Sequence, residues 1–351
     1  MSWLRKHTEC VREAADKWLN PENYALQEAI QKTVDEGLFS RQDIELQLSV
    51  LRENNQNNEI EQWVNRSGLT DQQHAKGKKV LCLHAGNLPL VGFQTALGTI
   101  LSGADYNGKL SRKDPYLLGS FLDEISKAGL DQHIQYTTDL SDFKGLQADK
   151  VIFAGSEQSV PDVKAKVTDL NAAKDEAEYI IRTAKFSIAY LNDWNESVKQ
   201  ELVEAMLRYG GKGCRSVAVV VVDFGLEMVK EELEDSIKQF WKSNPQHLKP
   251  APDLRYQYAY NEAIQRKQLW LEDFLIQESE ELPETEFTVH WVQGGEEKVR
   301  QLKTQFGKKV QSVYTVSKGT SGIKTEELAK AQRPNLWWKP DGVDLVEELI
   351  S

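Results

Sequence analysis

Residues 80–102 read VLCLHAGNLPLVGFQTALGTILS. Val80 to His84 reads as a short buried strand, AGNLPL as a turn, and about Phe93 to Ser102 as a helix. The same alternation continues downstream. A second strand falls near Tyr106 to Leu110, and a helix follows Pro115 over LLGSFLDEISKAG, with Gly129 suited to the position just past its end. Further strands are IQYTT (134–138) and KVIFAG (150–155). Strands separated by helices predict an α/β fold with a mostly parallel sheet covered on both faces. Ligands of such sheets bind at the carboxyl ends of the strands.

Before this core, residues 1 to about 68 read as helices. Leu26, Ile30, Val34 and Leu38 recur at helical spacing, Ser40 is a candidate N-cap with Asp43 three residues on, and Trp63 and Val64 close the segment. The polar stretch 71–79 is a connection. After the core, FSIAYL (186–191) reads as a strand. Asn192 or Asp193 is placed to cap a helix with Val198, Leu202, Ala205, Met206 and Tyr209 on one face, ending at Gly210 and Gly211. VAVVVV (217–222) is the most apolar strand. Helices are expected over Glu227 to Trp241 and about Tyr256 to Gln277, late strands over EFTVHWV and KVQSVYTVS, and a short amphipathic helix after an Asp341–Gly342 turn.

The totals narrow the function. A chain of 351 residues exceeds one ordinary domain, and an apolar content of 40% supports a sizeable core. A net charge of −11 argues against nucleic-acid binding. No apolar run is long enough for a membrane span, and the first residues lack the apolar region of a secretory signal. Cys10, Cys82 and Cys214 are odd in number and widely spaced, as free thiols in a reducing cytoplasm would be. The six histidines are not paired at ligand spacing, and there is no CxxC, so no metal site is expected.

Four stretches have residue types suited to chemistry. In YGGKGCRS (209–216), Cys214 sits among glycines with Lys212 and Arg215 nearby, and neighbouring cations lower a thiol pKa. Taken alone, an isolated cysteine beside a strand is more often packing. Asn87, in a strand-to-helix turn, suits either an oxyanion donor or a plain cap. KLSRKDP (109–115) places Lys109, Ser111, Arg112 and Lys113 in one loop, suited to ribose and phosphate oxygens or simply to solvent. Gly155 and Ser156 end a strand ahead of a helix, where backbone N–H groups hold phosphate, although an ordinary turn looks the same.

The order of these signals resembles the aldehyde dehydrogenase superfamily: Asn-x-Pro, then Lys, then Gly-Ser, then a glycine-rich cysteine. Within it, the chain is more similar to the LuxC-type acyl-CoA reductases. The stretches that carry this likeness are LCLHAGNLPLVGFQTALGTILSGADYNGKLSRKDP, the strand after Lys185, GGKGCRS, YAYNEAI and PDGVDLVEEL. The resemblance implies a Rossmann-type cofactor domain (76–187), a catalytic domain (188–330), an N-terminal helical segment (1–75) and a tail (331–351) that returns to the first domain. It implies Cys214 as nucleophile, Asn87 at the oxyanion, and Lys109, Ser111, Arg112, Gly155 and Ser156 around a nicotinamide cofactor. Arg112 and Lys113 favour NADPH over NADH.

Two departures qualify the likeness. Ile181 stands four residues before Lys185, where hydrolytic aldehyde dehydrogenases carry a carboxylate that activates water. Without that base, a thioester is left for a thiol or a hydride. The chain is also shorter than typical members before the Asn-x-Pro turn, with little room for an oligomerising hairpin arm. The expected activity is reduction of an acyl thioester, such as acyl-CoA, to an aldehyde, in a soluble protein that a homodimer would suit. Aldehyde oxidation and a non-catalytic scaffold are the alternatives.

Overall fold

The computed structural model describes residues 2–245, 249–271, 273–316 and 322–351. The chain forms two compact units: Met1–Thr183 with Asn335–Ser351, and Ala184–Pro334.

The first unit opens with helices α1 (Trp3–Leu19), α2 (Tyr24–Asp35), α3 (Arg41–Gln56) and α4 (Glu59–Ser67). Ser40 caps α3 as expected, accepting the Asp43 N–H. Then follow β1 (Lys79–Leu83), α5 (Phe93–Leu101), β2 (Asp105–Lys109), α6 (Leu117–Ile125), β3 (Ile134–Thr137), β4 (Ala148–Gly155), α7 (Val160–Asp169) and β5 (Ala173–Thr183). All four of this sheet's strand pairings are parallel, in the order β3-β2-β1-β4-β5. The order reverses between β1 and β4, the place where open α/β sheets bind ligands.

One face of the sheet packs on α5, α6 and the N-terminal helices. Trp18 stacks on Phe93 and meets Phe121 edge-on, with its indole N–H donating to Ser120 Oγ at 2.9 Å. Trp63 lies against Gly98, where a Cβ would come within 2.8 Å of the ring. The other face packs on α7 through Leu81, Val151, Phe153 and Val167.

β5 is not expected from the sequence. It is an edge strand whose outward residues are charged, so no continuous apolar run announces it. Its alternation is nevertheless present: Ala173, Ala177, Tyr179 and Ile181 face the α7 side, and Ile180 faces the other.

The second unit holds β6 (Phe186–Leu191), α8 (Glu196–Leu207), β7 (Val217–Val222), α9 (Lys230–Ser243), α10 (Asp253–Ala263), β8 (Gln268–Trp270), β9 (Leu275–Glu278), β10 (Thr288–Gln293), α11 (Glu296–Phe306), β11 (Val310–Thr315) and β12 (Glu326–Glu327). They form a sheet of order β12-β11-β6-β7-β10-β9-β8, parallel except for β8 against β9.

Three local expectations are corrected here. The helix expected over Tyr256 to Gln277 is α10 followed by a hairpin. Gln265 takes a left-handed φ of 57°, and the short apolar runs after it are buried as paired strands. Glu272 lies outside the described residues, as does Ser317 at the end of the late strand. Asn195 caps α8, not Asn192 or Asp193, and Tyr209 lies beyond that helix.

The chain closes with α12 (Leu345–Ile350), whose Leu345, Val346, Leu349 and Ile350 join the core of the first unit. Asp344 caps this helix and accepts the Trp63 indole N–H at 3.0 Å. Among the described residues, no helix is long and apolar enough to cross a membrane.

Candidate active site

In the first unit, the carboxyl end of β1 leads into the turn that carries Asn87, which is exposed. Leu83, the last residue of β1, is in register with Lys109 of β2 and Phe153 of β4, so the turns after these strands open on one end of the sheet. Gly86 is pressed against the next loop: a Cβ there would lie 2.4 Å from Ser111 Oγ. The turn ends at Leu90, which adopts a left-handed φ of 57° and donates its N–H to Asp114 Oδ2 at 2.8 Å. Burial pushes the Asp114 carboxyl up to about 7, while the Leu90 and Leu117 N–H groups pull it down.

Beneath the turn lies His84. Burial, then the charges of Arg182 and Lys109, lower its pKa to about 3, so it is neutral. Its Nε2 lies 2.7 Å from the buried Tyr106 hydroxyl. His84 also forbids a side chain at Gly92, where a Cβ would come within 2.4 Å of the ring. The histidine is therefore a packed spacer beneath the turn.

Lys109 is half-buried. Burial, then the neighbouring Arg112, lowers its pKa, and Asp139 opposes the shift. Arg112 and Lys113 are exposed, and the Ser111 hydroxyl accepts the Lys113 N–H at 3.2 Å. Gly155 ends β4 where a Cβ would lie 2.5 Å from the Phe153 ring, so no other residue fits without movement. Ser156 follows, exposed, with its hydroxyl bonded to Ser159 at the entry to α7. The structure thus gathers Asn87, Lys109, Ser111, Arg112, Gly155 and Ser156 along one end of one sheet. This set of cations, hydroxyls and a helix N-terminus suits the ribose and phosphate oxygens of a nucleotide.

Ile181, on β5, is in register with Phe153 and packs among the apolar residues on the α7 side. The next residue, Arg182, turns to the opposite side and donates to Thr95 Oγ1 at 3.1 Å. Sequence reasoning misses both Arg182 and Asp114. Each acts on a partner in a different element, and neither spacing nor periodicity marks it.

In the second unit, Cys214 follows three consecutive left-handed residues, Tyr209, Gly210 and Gly211, with φ of 57°, 66° and 72°. This reversal takes the chain from α8 into the cysteine loop. The Ser216 N–H donates to the Gly213 carbonyl at 2.8 Å, and the Gly213 N–H donates to Ser216 Oγ at 3.1 Å. The Ser187 hydroxyl, on β6, donates to the Cys214 carbonyl at 2.9 Å. The loop is thereby pinned on both sides of the thiol.

The two cations expected beside Cys214 have other partners. Lys212 pairs with Glu286 at 2.9 Å and lies over the Phe287 ring. Arg215 is buried and donates to the Ala331 carbonyl at 2.7 Å and to the Lys330 carbonyl, tying that segment to the loop. Cys214 is half-buried, as is Cys10. Cys82 is fully buried in β1, and burial pushes its thiol up to about 12, which makes it inert. Among the described residues, no cluster of histidine, cysteine or carboxylate side chains could hold a metal ion.

Comparison with known proteins places this arrangement. No curated protein sequence matches the chain. Solved structures share the fold at low identity. A succinic semialdehyde dehydrogenase from Streptococcus pyogenes, in complex with NADP+, matches with TM-score 0.62 and 12% identity over 90% of this chain and 77% of its own. An NAD-dependent benzaldehyde dehydrogenase from Corynebacterium glutamicum matches with TM-score 0.61 and 13% identity, over 90% of this chain and 77% of its own. Aldehyde dehydrogenase 21 from Physcomitrella patens, in complex with succinate, gives 0.60 and 12%, over 89% and 74%. The fold is therefore that of the aldehyde dehydrogenases, as the order of motifs implied. Residues 4–305 match the model of a single family, described as acyl-CoA reductase (LuxC), and the chain belongs to that family.

Proposed function

We propose that the protein reduces an acyl thioester, such as an acyl-CoA, to an aldehyde, with Cys214 as the nucleophile and NADPH as the preferred cofactor. The Cys214 thiolate attacks the thioester carbonyl carbon, and the resulting oxyanion is held by the Asn87 amide and the Cys214 backbone N–H. Collapse expels the CoA thiolate and leaves the acyl group on Cys214. When bound, the cofactor supplies the hydride that reduces this acyl group. The same two donors hold the second oxyanion, whose collapse breaks the C–S bond, releases the aldehyde and regenerates Cys214.

Lys109, Ser111 and Arg112 would hold the adenosine ribose, and Gly155 and Ser156 the pyrophosphate. Arg112 is exposed at the carboxyl end of the sheet and close enough to lower the Lys109 pKa, which supports a place for a 2′-phosphate.

The observation that carries the reading is the end of β5. Ile181 packs into the apolar face of the first unit, and the five residues 181–185 (IRTAK) include no carboxylate. A Cys214 thioester then lacks the base that would direct it to water, which favours a reductase over a hydrolytic oxidiser.

The deciding experiment is acyl-CoA turnover with NADPH in the parent and in Cys214→Ala. Activity should vanish in the variant, and acyl label should be trapped on Cys214 alone. Label on another cysteine, or full activity in the variant, sinks the mechanism. Rapid aldehyde oxidation without CoA would instead favour the hydrolytic alternative. Arg112→Ala should raise the KM for NADPH by about 10-fold, the scale of one charge-assisted contact, and leave that for NADH nearly unchanged. Equal effects on both cofactors would remove Arg112 from the 2′-phosphate.

A further inference from the structure

The turn carrying Asn87 and the loop carrying Ser111 and Arg112 meet twice. Gly86 is pressed against Ser111, and four residues later the Leu90 N–H donates to Asp114. Leu90 holds a left-handed φ that costs a leucine energy, with its side chain buried in the core. Pro89 before it has no N–H to give. The bond from Leu90 to Asp114 thus falls at the strained step of the turn.

Asp114 is 4% exposed. The influences on its carboxyl are burial and backbone N–H groups, with no cation among them. A buried carboxylate without a cation is costly to keep, and an apolar residue would fill the same space more cheaply. Its backbone is also engaged: the Asp114 N–H donates to the Ser111 carbonyl at 3.1 Å.

We propose that Asp114 is a positioning residue for the oxyanion turn: its carboxylate holds the Leu90 N–H, fixes the left-handed step that presents Asn87, and ties that step to the loop of Ser111 and Arg112. The proposal rests on the role given to Asn87 above. Lys109 does not depend on this tie, because β2 is anchored by its ladder. The Leu110 N–H donates to the Thr137 carbonyl at 2.7 Å, and the His84 N–H donates to the Lys109 carbonyl at 3.0 Å. Loss of the carboxylate therefore loosens the turn, while the ladder keeps Lys109 in place and the Asp114 N–H bond to the Ser111 carbonyl keeps the loop, so the effect falls on kcat and not on cofactor affinity.

The test uses the full chain with Asp114→Ala, Asp114→Asn, Asn87→Ala and the Asn87→Ala/Asp114→Ala double variant. Amide hydrogen exchange without ligand reads the tie directly. Asp114→Ala should speed exchange at Leu90 by about 10-fold or more and leave residues 105–110 unchanged, and Asp114→Asn should fall between Asp114→Ala and the parent. In turnover, removal of an oxyanion donor costs about 100-fold in kcat, so Asn87→Ala should lose about that much and Asp114→Ala about 10-fold or more. NADPH affinity should stay within about 2-fold, and the double variant should be no slower than Asn87→Ala alone.

Unchanged exchange at Leu90 in Asp114→Ala overturns the proposal, as does an unchanged kcat or a loss that multiplies in full with that of Asn87→Ala. If Asp114→Ala does not fold, Asp114→Asn decides. Partial loss of both protection and kcat supports the proposal, and loss of kcat with parent-level protection overturns it. A parent without Cys214-dependent turnover sinks the functional reading instead, and the exchange arm still decides whether Asp114 holds the turn.

Discussion

Gly211→Ala isolates the cost of the reversal that precedes the cysteine loop. Gly211 has φ of 72°, and a Cβ built there would lie 2.8 Å from the Met206 carbonyl oxygen. Two penalties therefore add. An L-residue in the left-handed region costs about 1–2 kcal/mol. A Cβ at 2.8 Å from a backbone oxygen forces the chain to shift, and overpacking of this kind costs about 1–3 kcal/mol more. Gly129 supplies the control. Its φ is 69°, and a methyl group placed there would meet nothing within 4 Å, so Gly129→Ala carries the conformational penalty alone.

The expected losses of stability are thus about 1–2 kcal/mol for Gly129→Ala and about 2–5 kcal/mol for Gly211→Ala, measured by urea unfolding. The shift at residue 211 also moves Cys214, three residues on. A displacement of about 1 Å can cost on the order of 100-fold in rate, so single-turnover acylation should slow by at least about 10-fold in Gly211→Ala and stay unchanged in Gly129→Ala. Equal stability losses in the two variants would refute the steric argument. Unchanged acylation in Gly211→Ala would refute the link between the reversal and the placement of Cys214.

Ser187→Ala removes the hydroxyl that donates to the Cys214 carbonyl, with an expected loss of about 1–2 kcal/mol and faster hydrogen exchange confined to residues near 213–216. Retained protection there would show that the Ser216 contacts suffice. The His84 pKa is lowered from 6.5 to about 3 in the folded chain, so the stability it contributes is complete above pH 6.5 and is lost as pH falls toward 3. Between pH 6.5 and 4 the loss should approach about 3 kcal/mol, and His84→Gln should flatten that limb of the pH–stability curve. A parallel curve in the variant would place the acid sensitivity elsewhere. Of the three thiols, Cys82 should resist alkylation in the native state while Cys10 and Cys214 react, as mass spectrometry of labelled peptides will read.

The first sheet is legible because its inner strands are short, apolar and separated by helices with clear breakers. Val80–His84 and KVIFAG need no tertiary information. β5 is not legible, because it carries the exposed Asp175, Glu176 and Glu178, and a charged edge strand lacks the apolar run that marks a central one. The stretch after Tyr256 misleads because its apolar residues are dense enough to fit a helix. Only the pairing of Gln268–Trp270 with Leu275–Gln277 decides for a hairpin.

At the candidate site, the glycines and Cys214 are visible by type, but their supports are not. Ser187 reaches a carbonyl 27 positions away, and Asp114 an N–H 24 positions away. Side-chain direction also goes unread: Lys212 and Arg215 flank Cys214 in sequence, and the fold gives them to Glu286 and to the Lys330 and Ala331 carbonyls.

The first unit is assembled from both ends of the chain, with residues 335–351 completing it. On a ribosome this fixes an order of events. Residues 184–334 must be synthesised before Leu345, Val346, Leu349 and Ile350 exist, a delay of roughly 8–30 s at about 5–20 residues per second. Throughout it, the nascent first unit lacks five buried core residues, Leu336 among them, and the Trp63 indole N–H lacks Asp344. A polypeptide halted before residue 335 would contain every candidate catalytic residue and still display an open apolar surface. To chaperones and proteases that recognise such surfaces, a chain without α12 therefore differs from one that carries it by this helix alone.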